Sequence, residues 1–295
     1  MRWSDQSEAP SEGELSKEYR WKLVDDFVKH FNEHQANYFN PSELICVDES
    51  MSRWYGQGGH WINNGLPQYA AIDRKPENGC EIQNALRLKL VKGANLTGFE
   101  DKVLGNKEES LLLGTNVLKH VVLPWFGRNC IVCADSYFAS VGAAKELYHN
   151  GLQFIGVIKT ARRGYLKTFL TSVELQNRGD FLGLRSNATE RTPELGSMVW
   201  MDWERRYFIS TAGSFEAGTP YQKCRWRQVD ETPNAPPEQV MLTVAQPKIA
   251  EIYYTTCGAI AKPNRLRQDD LCIKKKIETK DWSRLVNSSS FYDLC

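Results

Sequence analysis

The apolar positions of the chain fall into two rhythms that alternate along its length. Between residues 19 and 39 the apolar side chains Trp21, Leu23, Val24, Phe27, Val28 and Phe31 recur at roughly helical spacing, which predicts one amphipathic helix closing onto a core. Asn40 and Pro41 punctuate its end. The run ELICVDE then reads as a short buried strand, followed by a Gly-rich loop, YGQGGHWINNGLP. A second strand-like segment, CEIQNALRLKLV, follows Pro76–Gly79.

A cleaner unit begins near Gly127. The run Cys130–Ala134 predicts a buried strand with Asp135 at its exit. Ser140 is placed to cap the helix VGAAKELYHN, and Gly151 to stop it. LQFIGVIK is the next strand. A strand, a helix and a strand in that order imply a parallel pair, and sites gather at the carboxyl ends of such strands. Residues 160–230 read as further strands and loops, notably GSMVWMDWERRYFISTA, and 233–239 (PNAPPEQ) as a linker or turn. The charged tail after Ile260 suggests helical pieces, with Trp282 and Leu285 on one face, and no internal repeat is visible. Residues 1–16, rich in Ser and Glu, read as a disordered tail.

Composition sets the class. Of 295 residues, 41% are hydrophobic and 25% charged, as in soluble globular proteins. No apolar run is long enough to cross a bilayer, and the first thirty residues carry no secretory-signal pattern. The net charge of +1 conceals eleven acids against five bases in residues 1–50, and eight bases against four acids in 262–284. Such a basic end suits nucleic acid, and equally a solvated helix.

Eight cysteines are scattered, with Cys130 and Cys133 the close pair. Residues three apart on a strand face opposite ways, so this pair is poorly placed to share a metal. The five histidines complete no zinc pattern; His30 and His34 share a helix face and read as exposed. Reduced thiols in an intracellular protein are expected.

The candidate chemistry is carboxylate chemistry. Asp48 and Asp135 each end a predicted buried strand, and on neighbouring strands they would converge. Carboxylates that close repel unless protonated, hydrogen-bonded or bridged by a cation, and Mg²⁺ prefers such hard oxygens. The plainer alternative is that both simply solvate strand ends. Glu49 should face away from Asp48. Ser52 and Ser136 lack a histidine to activate them, and the loop QGGHWINNG lacks a phosphate-loop lysine. Lys159, Arg162, Arg163 and Lys167, with Tyr165 among them, form a basic patch that suits either a phosphate backbone or a solvated loop.

The blocks VDESMSRWYG, AIDRKPENGCEIQNALRL, NCIVCADSYFASVGAAKELYHNGLQFIGVIKT and PKIAEIYYTTCGAIAKPNRLRQDDL together resemble the catalytic domain of piggyBac-type transposases and their transposable-element-derived relatives, over residues 20–286. The resemblance implies an α/β fold: an RNase H-like mixed sheet flanked by helices, with a β-rich insertion. It assigns 17–159 and 233–295 to the transposase-derived domain, the latter including a basic C-terminal segment, and 160–232 to the insertion. It also implies Mg²⁺ as cofactor, DNA as partner, a homodimer and a nuclear location. Asp48 and Asp135 match the first two acids of the family's triad. The third falls on Ala261, within GAIAKPN, and Asn264 takes the place of an accessory acid. Arg265 and Arg267 join the basic patch as DNA-contact candidates. A methyl group binds no metal, so impaired or absent catalysis is expected, with residual DNA binding. The family's longer N-terminal portion and cysteine-rich C-terminal module are not evident, which also argues against autonomous transposition. Two alternatives stay open: a Mg²⁺-dependent strand transferase or nuclease rescued by Asp269, Asp270 or Glu251, and a non-catalytic protein-interaction module.

Overall fold

A computed structural model describes residues 17–52, 66–77, 80–90, 113–189, 193–227 and 238–265. In chain order these form α1 (Lys17–Tyr38), β1 (Leu44–Ser52), β2 (Leu66–Glu77), β3 (Cys80–Leu90), α2 (Leu113–Val122), β4 (Ile131–Ala134), α3 (Val141–His149), β5 (Gln153–Val157), α4 (Lys167–Ser172), β6 (Phe181–Arg185), β7 (Gly196–Met201), β8 (Arg205–Ser210), β9 (Tyr221–Arg227), β10 (Glu238–Val244) and α5 (Lys248–Arg265). The tail 1–16, most of the Gly-rich loop and the segment beyond Arg265 lie outside the described residues.

Eight strands make one sheet in the order β3-β2-β1-β4-β5-β8-β7-β6, and β9 and β10 pair separately. The centre is parallel: β1 with β4, and β4 with β5. The flanking pairs are antiparallel, β2 with β1 and β3 on one side, β8 with β5 and β7 on the other. The mixed α/β class expected from the resemblance is therefore found. Strands β6–β9 fall within 160–232, and β6–β8 continue the main sheet beyond β5 instead of forming a separate layer.

Two expectations change. The buried run of β1 ends at Val47, but the strand continues to Ser52 because β2 pairs with it past the point where β4 stops. Asp48 is thus a mid-strand residue at the place where β1 loses β4. Glu238 and Gln239, expected in a linker, begin β10 and pair with Arg227 and Trp226. Strand β2, with Pro67 and Pro76 in its sequence, had no clear apolar alternation and went unread.

Alternation divides the core into two faces. Ile45, Val47, Val132, Ala134 and Phe154 pack with Val117 and Leu118 of α2 and Ala143 and Leu147 of α3. On the other face, Cys133, Ile155 and Phe208 pack with Ile249, Ala250 and Tyr253 of α5, while Cys46 and Leu88 meet Phe31 of α1. Cys130 and Cys133 accordingly join different clusters. Helix α3 starts as predicted, with Ser140 Oγ accepting from Ala143 N at 2.9 Å. Its stop requires Gly151, at φ 72°, where a Cβ would lie 2.6 Å from the Gly127 Cα. Asn32 of α1 covers the edge strand β3, donating from Nδ2 to the Leu88 carbonyl and accepting from the Leu88 N–H. That pairing blunts an edge otherwise open to other strands.

Candidate cation site at the strand exits

The register places Val47 beside Ala134 on parallel neighbours, so Asp48 and Asp135 come next on each chain where β1 and β4 part. Asp48 feels the charge of its neighbour. Burial raises the Asp48 carboxyl to about 6, against an opposing hydrogen bond from the Glu49 N–H, and the negative charges of Asp135 and Glu49 add to the rise. Glu49 is exposed, yet its carboxyl too is raised, by burial and then by Asp135. Strand alternation alone understated that coupling.

The loop carrying Asp135 is held from several sides. Asp135 Oδ1 accepts from Tyr137 N at 2.9 Å, and its carbonyl accepts from Ala139 N at 2.9 Å. Arg162, part of the basic patch that suits a phosphate backbone or a solvated loop, donates to the Ser136 and Tyr137 carbonyls at 3.2 and 3.0 Å. Gly114 at the start of α2 permits the close approach: a Cβ there would lie 2.7 Å from the Tyr137 carbonyl oxygen. Tyr165 is also an inside residue. It is buried, and its hydroxyl donates to the Met198 and Phe208 carbonyls. Lys159, Arg163 and Lys167 remain exposed. Because β5 runs parallel to β4, the 159–167 segment that follows it lies at the same end of the sheet as the two aspartates. Arg265 ends α5, and Arg267 lies outside the described residues.

Helix α5 packs across β5, β4, β1 and β2. Tyr253 packs edge-on against Phe208, with ring centroids 5.5 Å apart. One turn later Cys257 interacts with Cys46 and Cys133, the residues two before each aspartate, and all of these interactions raise the Cys46 and Cys133 thiols beyond what burial does. Position 261 follows Cys257 by four residues on the same helix, hence on the same side of its cylinder. The sequence has alanine at that position.

Glu251, one of the alternative third acids, is engaged elsewhere. Its Oε2 accepts from Thr219 N and Lys248 Nζ, both at 3.0 Å, and these bonds lower its pKa. Asp269 and Asp270 lie outside the described residues. Among the described residues no group of three or more His, Cys, Asp and Glu side chains converges as a cation cage. His30 and His34 are exposed on α1; the first contacts the Asp26 carbonyl and the second stacks on Tyr38.

An order of β3-β2-β1-β4-β5, with acids where β1 and β4 part and a helix crossing the sheet, defines an RNase H-like mixed sheet flanked by helices. Residues 4–292 match the Transposase IS4 family, and the chain belongs to it. Among solved structures, the fold is similar to a piggyBac transposase seen by cryo-EM in a synaptic complex with hairpin DNA, at a TM-score of 0.61 and 14% identity. That similarity covers 97% of this chain and 51% of the transposase, so the chain spans about half the length of that relative. No curated protein sequence matches it.

Proposed function

We propose that this chain is a piggyBac-type, transposase-derived domain whose strand-transfer chemistry is impaired and whose DNA affinity persists. The observation that supports the proposal is an asymmetry: Asp48 and Asp135 follow the paired residues Val47 and Ala134, while the position that the family motif gives to a third acid reads Ala261 in this sequence. The pair suits a hard divalent cation, because such an ion would relieve the repulsion that raises Asp48. Asp48 and Asp135 would hold it, and when bound it would stabilise charge on a phosphoryl oxygen. The family uses divalent metal in this way. With two carboxylates in place of three, such an ion would be held less firmly.

Lys159, Arg163 and Lys167, together with Arg265 and Arg267, are the proposed phosphate contacts. They supply sequence-independent attraction of the kind that dominates nonspecific binding. Arg162 belongs to a different role, positioning the Asp135 loop. A homodimer and a nuclear location follow from the same reading, since DNA is the family's substrate.

The test is cleavage of a terminal-repeat DNA duplex with Mg²⁺ or Mn²⁺. The parent chain should give no product. Ala261→Asp should restore partial cleavage, because one such group is worth about 10²–10³ in rate. Clear cleavage by the parent that Asp48→Ala abolishes would overturn the proposal.

A further inference from the structure

At the far edge of the sheet a pocket of about 380 Å³ opens between α1, β3 and α2, a size in the range that holds a small ligand. Its charged walls come from three elements. Helix α1 contributes Asp25, Lys29 and Glu33, β3 contributes Arg87 and Lys89, and α2 contributes His120. The two β3 cations flank Leu88, whose main chain is held on both sides by Asn32, so their spacing is fixed by the strand edge.

Two observations point to a missing anion. The Nε–H of Arg87 is buried without a hydrogen-bond partner, and a buried guanidinium donor without an acceptor is costly. The second is the positive field at His120, whose pKa is pushed down to about 4 by burial and then by the charges of Lys89 and Arg87. Burial lowers Arg87 itself as well. An oxyanion bound here would accept from the Arg87 donor and offset the β3 cations.

We propose that this pocket binds a phosphate-class oxyanion, with Arg87 and Lys89 as its charged donors. The register places it level with the cation site but at the sheet edge: Asp48 pairs with Ala70 and Ala70 with Leu88. Two strand spacings, roughly 10 Å, separate Leu88 from Asp48 along the hydrogen-bonding direction. The source of the phosphate is either a nucleic-acid backbone or free phosphate. Neither depends on metal at Asp48 and Asp135, so this site stands or falls apart from the reading above.

The His120 ring is the reporter, followed by NMR on the full chain. Inorganic phosphate should raise its pKa saturably by about one unit or more, since a nearby anion favours imidazolium. Chloride at equal ionic strength should not. Arg87→Gln and Lys89→Gln should each weaken phosphate binding about 10-fold, as loss of a charge-assisted bond predicts. Displacement of phosphate by a DNA duplex identifies the backbone as the source, and failure to displace it identifies free phosphate. If circular dichroism shows Arg87→Gln unfolded, Lys89→Gln alone decides. A shift reproduced by chloride, no shift at all, or phosphate affinity unchanged in the folded variants overturns the proposal.

Discussion

The strand side and the helix side of the site have fared differently. At the exits of β1 and β4 the carboxylates stand beside each other, and the Asp135 loop is clamped by Arg162, by the close approach of Gly114 and by its own Asx turn. On α5 the packing half of the helix is intact, with Ile249, Ala250, Tyr253 and Cys257 against the sheet, but the next turn offers a methyl group. On the reading proposed above, packing and chemistry fall on different turns of one helix, so a change at 261 bears on the site and not on what holds the helix in place.

The sharpest way to break that comparison is to attack the packing turn. Tyr253 is 7% exposed and meets the rings of Phe208 and Tyr254. Tyr253→Ala should cost about 3–5 kcal/mol of stability in urea unfolding, the usual loss for a large buried aromatic. Ala261→Asp should leave the midpoint within about 1 kcal/mol, as expected if position 261 takes no part in the core. Equal destabilisation by the two would show that position 261 belongs to the core, and the separation of packing from chemistry would fail.

A smaller effect distinguishes two adjacent arginines. Arg162 donates to two carbonyls of the Asp135 loop, whereas Arg163 is exposed. Arg162→Met should cost about 1–3 kcal/mol, because it strands part-buried carbonyls that a charged donor satisfied, and should leave the salt dependence of DNA binding unchanged. Arg163→Gln should be neutral for stability. It should lower the slope of log affinity against log salt by about one, the signature of one lost phosphate contact. The reverse pattern would place Arg162 at the DNA and remove its positioning role.

This pair also shows where sequence stops informing. RR at 162–163 carries no sign of which arginine is spent inside, since that is decided by the Ser136 and Tyr137 carbonyls, 26 and 25 residues away. Tyr165, surrounded by bases, reads as surface; its burial depends on acceptors on β7 and β8. What could be read locally was the apolar run ending at Val47, the Ser140 cap and the Gly151 stop, each set by neighbours within a few residues. The placing of Asp48 beside Asp135 followed from the parallel crossover only once β1 was known to adjoin β4. Strand β2 was hidden because Asp73, Arg74, Lys75 and Glu77 interrupt any period-two pattern, and its identity comes from pairing with β1 and β3. The anion-pocket residues gave no signal, since Arg87 and Lys89 alternate with leucines as any half-exposed strand would.

The smallest expected effect tests the electrostatics of the acid pair itself. Asp48 has its carboxyl raised to about 6 in the folded chain, from an ordinary value of 3.8. The folded state therefore binds more protons than the unfolded state between these values. By linkage, stability should fall as pH rises from about 4 to about 6 and then level off. Solvent screening at a half-buried group should reduce the total to about 1–2 kcal/mol. Asp48→Asn should flatten most of that slope in thermal melts across the window, leaving the smaller contribution of Glu49, which burial and Asp135 also raise. Mn²⁺ should stabilise the parent above pH 6 more than below pH 5, because protonation of Asp48 competes with the ion for the same oxygens. A slope of equal size in Asp48→Asn, or Mn²⁺ stabilisation indifferent to pH, would mean that the strand exits hold two independent carboxylates and no shared cation site.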